Sequence, residues 1–304
     1  MYLGIDSSNY TTSVAVLNED LSYSNIKQVL KVKTGERGLR QSDAFYQHIN
    51  KFPELINRLD FSDVNAIGVS SKPTNDIESY MPCFNAGVRI AEILSEVLKV
   101  KLFTFSHQNG HIASALLSSN QFELINKQFI AFHVSGGTTQ ALLVEPDDEF
   151  VFKTTLLSSS LDLKAGQVID RTGVKLGLDF PCGQAVEKSA LNCTDEIKVT
   201  IPFRNGNPSL SGIENKVNKL IEDGADNEYI CKFVIECIKL TVYKMCSYIL
   251  KDNNLPIVFS GGVMSNSIIR NFMQDKFNCY FAEPELSRDN AVGIAFLTKY
   301  LSEK

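Results

Sequence analysis

The sequence predicts an α/β protein built from two related halves, and three observations carry that prediction. Short apolar strands alternate with helical stretches along the chain, the pattern of a mixed or parallel sheet covered by helices. A strand, a polar turn and a returning strand open the chain at residues 2–17, and the same arrangement recurs at 129–144, as an internal duplication would give. Glycine pairs follow two of the strands, at Gly136-Gly137 and Gly261-Gly262.

Taken in order, Tyr2 to Ile5 reads as a strand and Thr12 to Leu17 as its partner, with Asp6, Ser8 and Thr11 at the hairpin tip. Such a tip is either a solvated turn or a holder of a phosphate or a metal–nucleotide complex through hydroxyls and backbone amides. Residues 38 to 60 space Phe45, Ile49, Phe52 and Leu55 as a helix does. Ala66 to Ser70 is a buried strand, Asn85 to Leu98 a helix, and Val100 to Phe105 a further strand. In the second half Phe129 to Val134 and Gln140 to Val144 repeat the hairpin around Ser135-Gly136-Gly137-Thr138. Adjacent glycines let backbone amides approach an anion closely. Ile257 to Phe259, the glycine pair and a helix from about Ser265 make a strand, turn and helix N-terminus suited to a nucleotide. Asp170 falls on a helix one turn after Gly166, while Pro181 to Gly183 reads as a loop. Tyr229 to Leu250 is a long amphipathic helix, and a last apolar helix begins near Ala291.

One stretch carries the most chemistry. His107-Gln108-Asn109-Gly110-His111 places two of the four histidines four residues apart. On a helix these project from one face, the spacing by which a transition metal takes two nitrogens from one element. Surface or capping histidines are the alternative. Gly110 costs a helix interior ~1 kcal/mol, which some contact must offset. Asp289, before the last helix, reads either as a helix cap or as a third ligand.

Composition sets the boundaries. The 304 residues suit two lobes, and a hydrophobic fraction of 44% is that of a globular protein. A net charge of -5 provides no global attraction for nucleic acid, so an RNA contact would need a local patch or a partner. No apolar run approaches a membrane span, and the N-terminus lacks a signal-peptide pattern. The seven cysteines contain no C-x-x-C pair, so they read as free thiols in a reducing, cytoplasmic setting.

Together these stretches resemble the tRNA threonylcarbamoyladenosine synthase transferase-subunit family, also labelled O-sialoglycoprotein endopeptidase or M22. The family's G-I-E-T-S is similar to Gly4-Ile5-Asp6-Ser7-Ser8, and its H-x-E-G-H to residues 107–111. Its V-S-G-G-H-T-Q resembles residues 134–140, and its A-G-E-A-F-D-K-T and L-G-L-D-Y-P-G-G resemble 165–172 and 176–183. S-F-S-G-L-K stands as 209–214, G-G-V-x-x-N as 261–266, and T-D-N-G as 288–291. The matches keep their order along the whole chain.

The resemblance implies an actin-like, sugar-kinase-like fold: two duplicated α/β lobes around a central cleft, residues 1–115 with 292–304 and residues 116–291. It implies His107, His111 and Asp289 as ligands of one divalent metal, iron or zinc. Val134, Ser135, Gly136, Gly137, Thr138, Asp170, Gly183 and Asn266 would surround an adenylate or ATP-type nucleotide. The implied activity is acyl transfer: a threonylcarbamoyl group passes from threonylcarbamoyl-adenylate to N6 of the adenosine 3′ of the tRNA anticodon. The implied partners are tRNA, an actin-like dimer partner and a small ATPase, without a membrane. No catalytic acid or base is singled out, and neither a Ser-His-Asp arrangement nor an H-E-x-x-H helix supports the peptidase label.

Several positions depart from the family pattern. Asn109 replaces the glutamate of H-x-E-G-H, Thr138 replaces a histidine while His133 stands upstream, and Asp6 replaces a glutamate. Lys164 replaces an alanine and Gln167 a glutamate, making the surroundings of Asp170 less acidic. The changes at Asn109, Thr138 and Lys164 motivate a second reading, a paralogue that carbamoylates a different acceptor; a non-catalytic nucleotide-binding scaffold is a third, against which His107 and His111 count.

Overall fold

The computed structural model describes residues 1–8, 10–32, 39–76, 78–283, 285–286 and 290–304. The chain forms two compact units: residues 1–126 with 146–153 and 285–304, and residues 127–145 with 154–284.

In the first unit, β1 (Tyr2–Ser8), β2 (Thr11–Leu17) and β3 (Tyr23–Val29) form an antiparallel meander. After α1 (Gln41–Ile56), the strand β4 (Ala66–Lys72) pairs parallel with β1, with Gly4 opposite Gly68. Beyond α2 (Phe84–Leu98), β5 (Lys101–Ser106) extends the sheet and leads directly into α3 (His107–Ser118). The sheet order is β3-β2-β1-β4-β5.

The second unit repeats this scheme. Its strands begin with β6 (Phe129–Val134), β7 (Thr139–Asp147) and β8 (Val151–Ser159), and the turn between β7 and β8 belongs to the first unit. The helices α4 (Ala165–Lys175) and α5 (Gly183–Asn192) precede a two-stranded ribbon of β9 (Phe203–Arg204) and β10 (Asn207–Pro208). Then follow α6 (Ser211–Glu222), α7 (Asn227–Ile249), β11 (Ile257–Ser260), α8 (Ser267–Lys276) and β12 (Cys279–Phe281). The order β12-β11-β6-β7-β8 places β11 parallel to β6, as β4 lies beside β1. The 23-residue α7 is the spine of this core, with Ile230, Val234, Cys237, Ile238 and Val242 buried against α4, α5, α6 and α8.

The last helix, α9 (Ala291–Ser302), returns to the first unit and is buried on nearly every face, as its unbroken apolar run requires. It packs on β1, β2, β4 and α3. Contact with β1 is so close that a Cβ at Gly4 would strike the Ala291 carbonyl. The buried face of α1 is spaced Ala44, His48, Phe52 and Leu55. His48 thus occupies a core position. Its Nδ1 lies 2.7 Å from Thr12 Oγ1, its Nε2 has no partner among the described residues, and burial pushes its pKa down to about 4. All seven cysteines are free thiols.

The sequence expectations and the structure differ at several places, of which three bear on the site's surroundings. Asp6 lies inside β1 and not at the tip of its turn. The helix expected over 38–60 spans Gln41–Ile56. Pro181 to Gly183 leads into α5 at its last residue.

Candidate functional site

In the first unit the site begins where β5 ends. Ser106 caps α3 by accepting the Asn109 N–H at 3.2 Å, which starts the helix at His107. His107 and His111 then stand one turn apart on one face. Their Nε2 atoms are 3.0 Å apart, with ring centroids 4.4 Å apart and planes inclined at 79°. The His107 ring lies with its other nitrogen, Nδ1, 2.9 Å from Asp6 Oδ1. Asp6 is 1% exposed. Its carboxylate also accepts from Ser70 Oγ, from the Ser8 N–H and from Asn290 Nδ2. Burial raises its pKa, but His107, Ser70 and Ser8 outweigh burial and hold the carboxyl well below the usual range.

Asn290 comes from the other end of the chain and fills the space beside Gly110. A Cβ at Gly110 would collide with the Asn290 amide, so close side-chain packing accounts for the costly glycine. Asn290 Nδ2 lies 2.9 Å from the His107 carbonyl, 2.8 Å from His107 Nδ1 and 3.2 Å from Asp6 Oδ1. Among the described residues no three His, Cys, Asp or Glu side chains gather to hold an ion, and Asp289, the expected third ligand, lies outside those residues.

Asn109 faces away from this cluster in its bonding. Fully buried, it donates Nδ2 to the Phe150 carbonyl at 2.6 Å and to the Phe152 carbonyl at 3.3 Å. Asn75 Nδ2 donates to the same Phe152 carbonyl at 2.9 Å. A glutamate has no proton to donate to these carbonyls at neutral pH, whereas an amide does.

In the second unit the turn after β6 is self-contained. Ser135 Oγ accepts from the Gly137 and Thr138 N–H groups at 3.3 and 3.1 Å, and the Ser135 N–H donates to the Thr138 carbonyl at 2.7 Å. Gly166 packs against this turn so tightly that a Cβ would lie 2.5 Å from Gly136 N. Gly136 and Gly137 differ from it: a Cβ on either would meet nothing within 4 Å. Protein packing does not explain these two glycines. Gly261, by contrast, has φ +94° and lies against the Val134 carbonyl, so both geometry and contact demand it.

The remaining expected residues have visible structural partners. Asn266 caps α8 by accepting the Ile269 N–H at 3.1 Å. Asp170, on α4, accepts the Cys182 N–H at 2.9 Å and so fastens the loop before Gly183. The structure thus joins residues 134–138 with the Gly261 turn, and Asp170 with the Gly183 loop. Thr138 lies at the end of its turn. His133 Nδ1 is 3.1 Å from Ser260 Oγ, which donates to the Phe132 carbonyl. Sequence reasoning did not assign Asp6, Ser70 or Asn290 to the site. The signals were the family motifs that contain Asp6 and Asn290, and Gly110, whose cost called for a neighbour.

Two mixed sheets of one topology, flanked by helices, define the actin-like α/β class. Solved structures share the fold. HypF of T. kodakarensis matches 99% of this chain and 47% of its own, with a TM-score of 0.61 and 14% identity. Component A of (R)-2-hydroxyglutaryl-CoA dehydratase from Acidaminococcus fermentans matches 100% and 99%, with a TM-score of 0.57 and 12% identity. Within that class, the chain belongs to the TsaD family of tRNA N6-adenosine threonylcarbamoyltransferases, whose sequence model matches residues 39–296. It is similar to the tRNA N6-adenosine threonylcarbamoyltransferase of Campylobacter hominis, 29% identical and covering 97% of this chain and 91% of the relative. The Francisella tularensis subsp. holarctica protein of the same name is 28% identical over 98% of this chain and 93% of its own. The family is one of acyl-transferring enzymes. No helix among the described residues is long and apolar enough to cross a membrane.

Proposed function

We propose that this protein moves a threonylcarbamoyl group from threonylcarbamoyl-adenylate to N6 of the adenosine 3′ of the tRNA anticodon. Beyond family membership, one observation carries the reading: His107 and His111 direct their Nε2 atoms toward each other at 3.0 Å. Two imidazole nitrogens at that separation fit one shared divalent ion. With the Asp289 carboxylate they would form an open site acceptable to iron or zinc. When bound, the ion supplies a Lewis acid for the oxygens of the mixed anhydride.

The chain's own residues do the rest. The Gly136-Gly137 backbone, with open space where side chains would be, lets the phosphate of the adenylate approach closely. Asn266 and the Gly261 turn frame the same region, while Asp170 and Gly183 shape the nucleotide's surroundings through the loop they share. In the reaction, the N6 nitrogen attacks the carbamoyl carbon and a C–N bond forms. The bond from that carbon to the phosphate oxygen breaks, AMP leaves, and the N6 proton passes to solvent. An actin-like partner subunit and a small ATPase assist, and tRNA is the acceptor. The paired histidines and family membership favour transfer over a non-catalytic scaffold.

The test incubates the protein and its helper subunits with unmodified tRNA and the adenylate, then measures threonylcarbamoyladenosine among the digested nucleosides. Its formation is the expected result. Bound metal and adenylate with no modified adenosine would mean that the acceptor is a different molecule.

A further inference from the structure

We propose that Asp6 and Asn290 are positioning residues that hold the His107 imidazole in one tautomer, its proton on Nδ1 and its Nε2 lone pair turned toward His111. The ion-binding consequence rests on the proposed function above, but the tautomer itself does not.

The argument is a count of hydrogens. Among the described residues Nδ1 of His107 has two polar neighbours, Asp6 Oδ1 at 2.9 Å and Asn290 Nδ2 at 2.8 Å. The first accepts and the second donates, so they ask for opposite tautomers. Asn290 Nδ2 has only two hydrogens, and two other acceptors stand within reach: the His107 carbonyl at 2.9 Å and Asp6 Oδ1 at 3.2 Å. If both hydrogens go to those oxygens, Nδ1 keeps its proton and donates it to Asp6. Every donor is then used. In the opposite tautomer a lone pair on Nδ1 would face a buried carboxylate oxygen at 2.9 Å, with no proton between them. That arrangement is repulsive and unscreened, because Asp6 is 1% exposed.

The frame is fixed from three separate elements. Asp6 comes from β1, where Ser70 and the Ser8 N–H also bind its carboxylate. Asn290 stands immediately before α9, in space that only a glycine at 110 leaves open. Neither residue can drift without losing several bonds. A carboxylate behind a histidine is the general means of fixing which ring nitrogen is presented to a metal and of raising its basicity. Here an asparagine amide completes it, taking up the acceptors that the imidazole leaves.

The two variants therefore have opposite predictions. Asp6→Ala removes the acceptor and leaves Asn290 Nδ2 as the remaining partner of Nδ1, so the proton should move to Nε2. Asn290→Ala leaves the carboxylate, so the proton should remain on Nδ1. Long-range 1H–15N spectra of the metal-free protein, labelled at its four histidines, read the tautomer directly. Zinc binding, followed by competition with a chromophoric chelator, reads the consequence: about ten- to hundredfold weaker for Asp6→Ala. A general loss of stability would move neither the tautomer nor its opposite response in the two variants. If Asp6→Ala does not fold, the wild-type spectrum still decides. A proton on Nε2 of His107 in the wild type overturns the proposal, as does a folded Asp6→Ala protein with its proton still on Nδ1. The expected tautomers without zinc binding would uphold the positioning role and remove the ion from the function instead.

Discussion

The histidine cluster of the first unit and the glycine turn of the second are built on opposite principles. Around His107 the working groups are side chains, each buried or half-buried and tied to neighbours from β1, β4 and the start of α9. At Gly136 and Gly137 the working group is bare backbone, with open space where side chains would be. A side-chain cluster can hold a small ion in a fixed geometry but tolerates no added atom. An open backbone turn can admit a large anion and tolerates small additions until the ligand arrives.

Predictions that would break or sharpen this contrast follow from the largest effect to the smallest. His111→Ala should abolish metal binding while leaving the fold intact. Transfer should fall by about a thousandfold, the worth of several kcal/mol of Lewis-acid stabilisation. Elemental analysis, circular dichroism and the tRNA assay check this, and full activity with His111 absent would end the metal assignment.

The buried His48 should make stability depend on pH. Its folded-state pKa is depressed to about 4 against 6.5 unfolded, so the unfolded chain binds the extra proton between those values. Stability is therefore full above pH 6.5 and lost as pH falls toward 4, by up to about 3 kcal/mol. Urea titrations of wild type and His48→Leu across this range would show it, and equal slopes would exclude His48 as the source.

Asn109→Asp should cost about 2 kcal/mol, since a carboxylate would replace the amide that donates to the Phe150 and Phe152 carbonyls. Thermal unfolding measures this. Gly110→Ala should lower stability by roughly 1 kcal/mol, because the clash with Asn290 exceeds the helix-propensity gain. Gly137→Ala should leave stability within ~0.5 kcal/mol, since the new methyl touches nothing in the protein. The same variant should bind the adenylate at least about tenfold more weakly, and unchanged binding would remove this turn from the site.

The strands at the sheet centres were legible because burial on both faces demands continuous apolar residues. Phe129–Val134 was read with both ends correct for that reason. Five strands were missed: Cys279–Phe281, Phe203–Arg204 and Asn207–Pro208, which are only two or three residues long, and Tyr23–Val29 and Val151–Ser159, which are both sheet edges. An edge strand half-exposed to water carries lysines and serines, as these do, and loses the apolar signal. The pair His107 and His111 was visible because helical spacing is local. Asp6 and Asn290 were not assigned, because the contact between them spans 284 positions and no local pattern encodes it. Asn109 read as a lost carboxylate, while the structure shows an amide with two carbonyls to satisfy.

The return of the final helix to the first unit has a consequence for biosynthesis. β1 leaves the ribosome long before α9, yet both are packed in one core, and Asp6 and Asn290 share the bonds around His107. A nascent chain can complete both sheets before α9 exists, but it cannot close the core of the first unit. The histidine cluster is therefore assembled only after Asn290 and α9 have emerged, by a contact between distant positions, which forms slowly. Until then the apolar surfaces of β1 and β4 that receive α9 stand uncovered, and this interval is when the chain has most need of protection from aggregation.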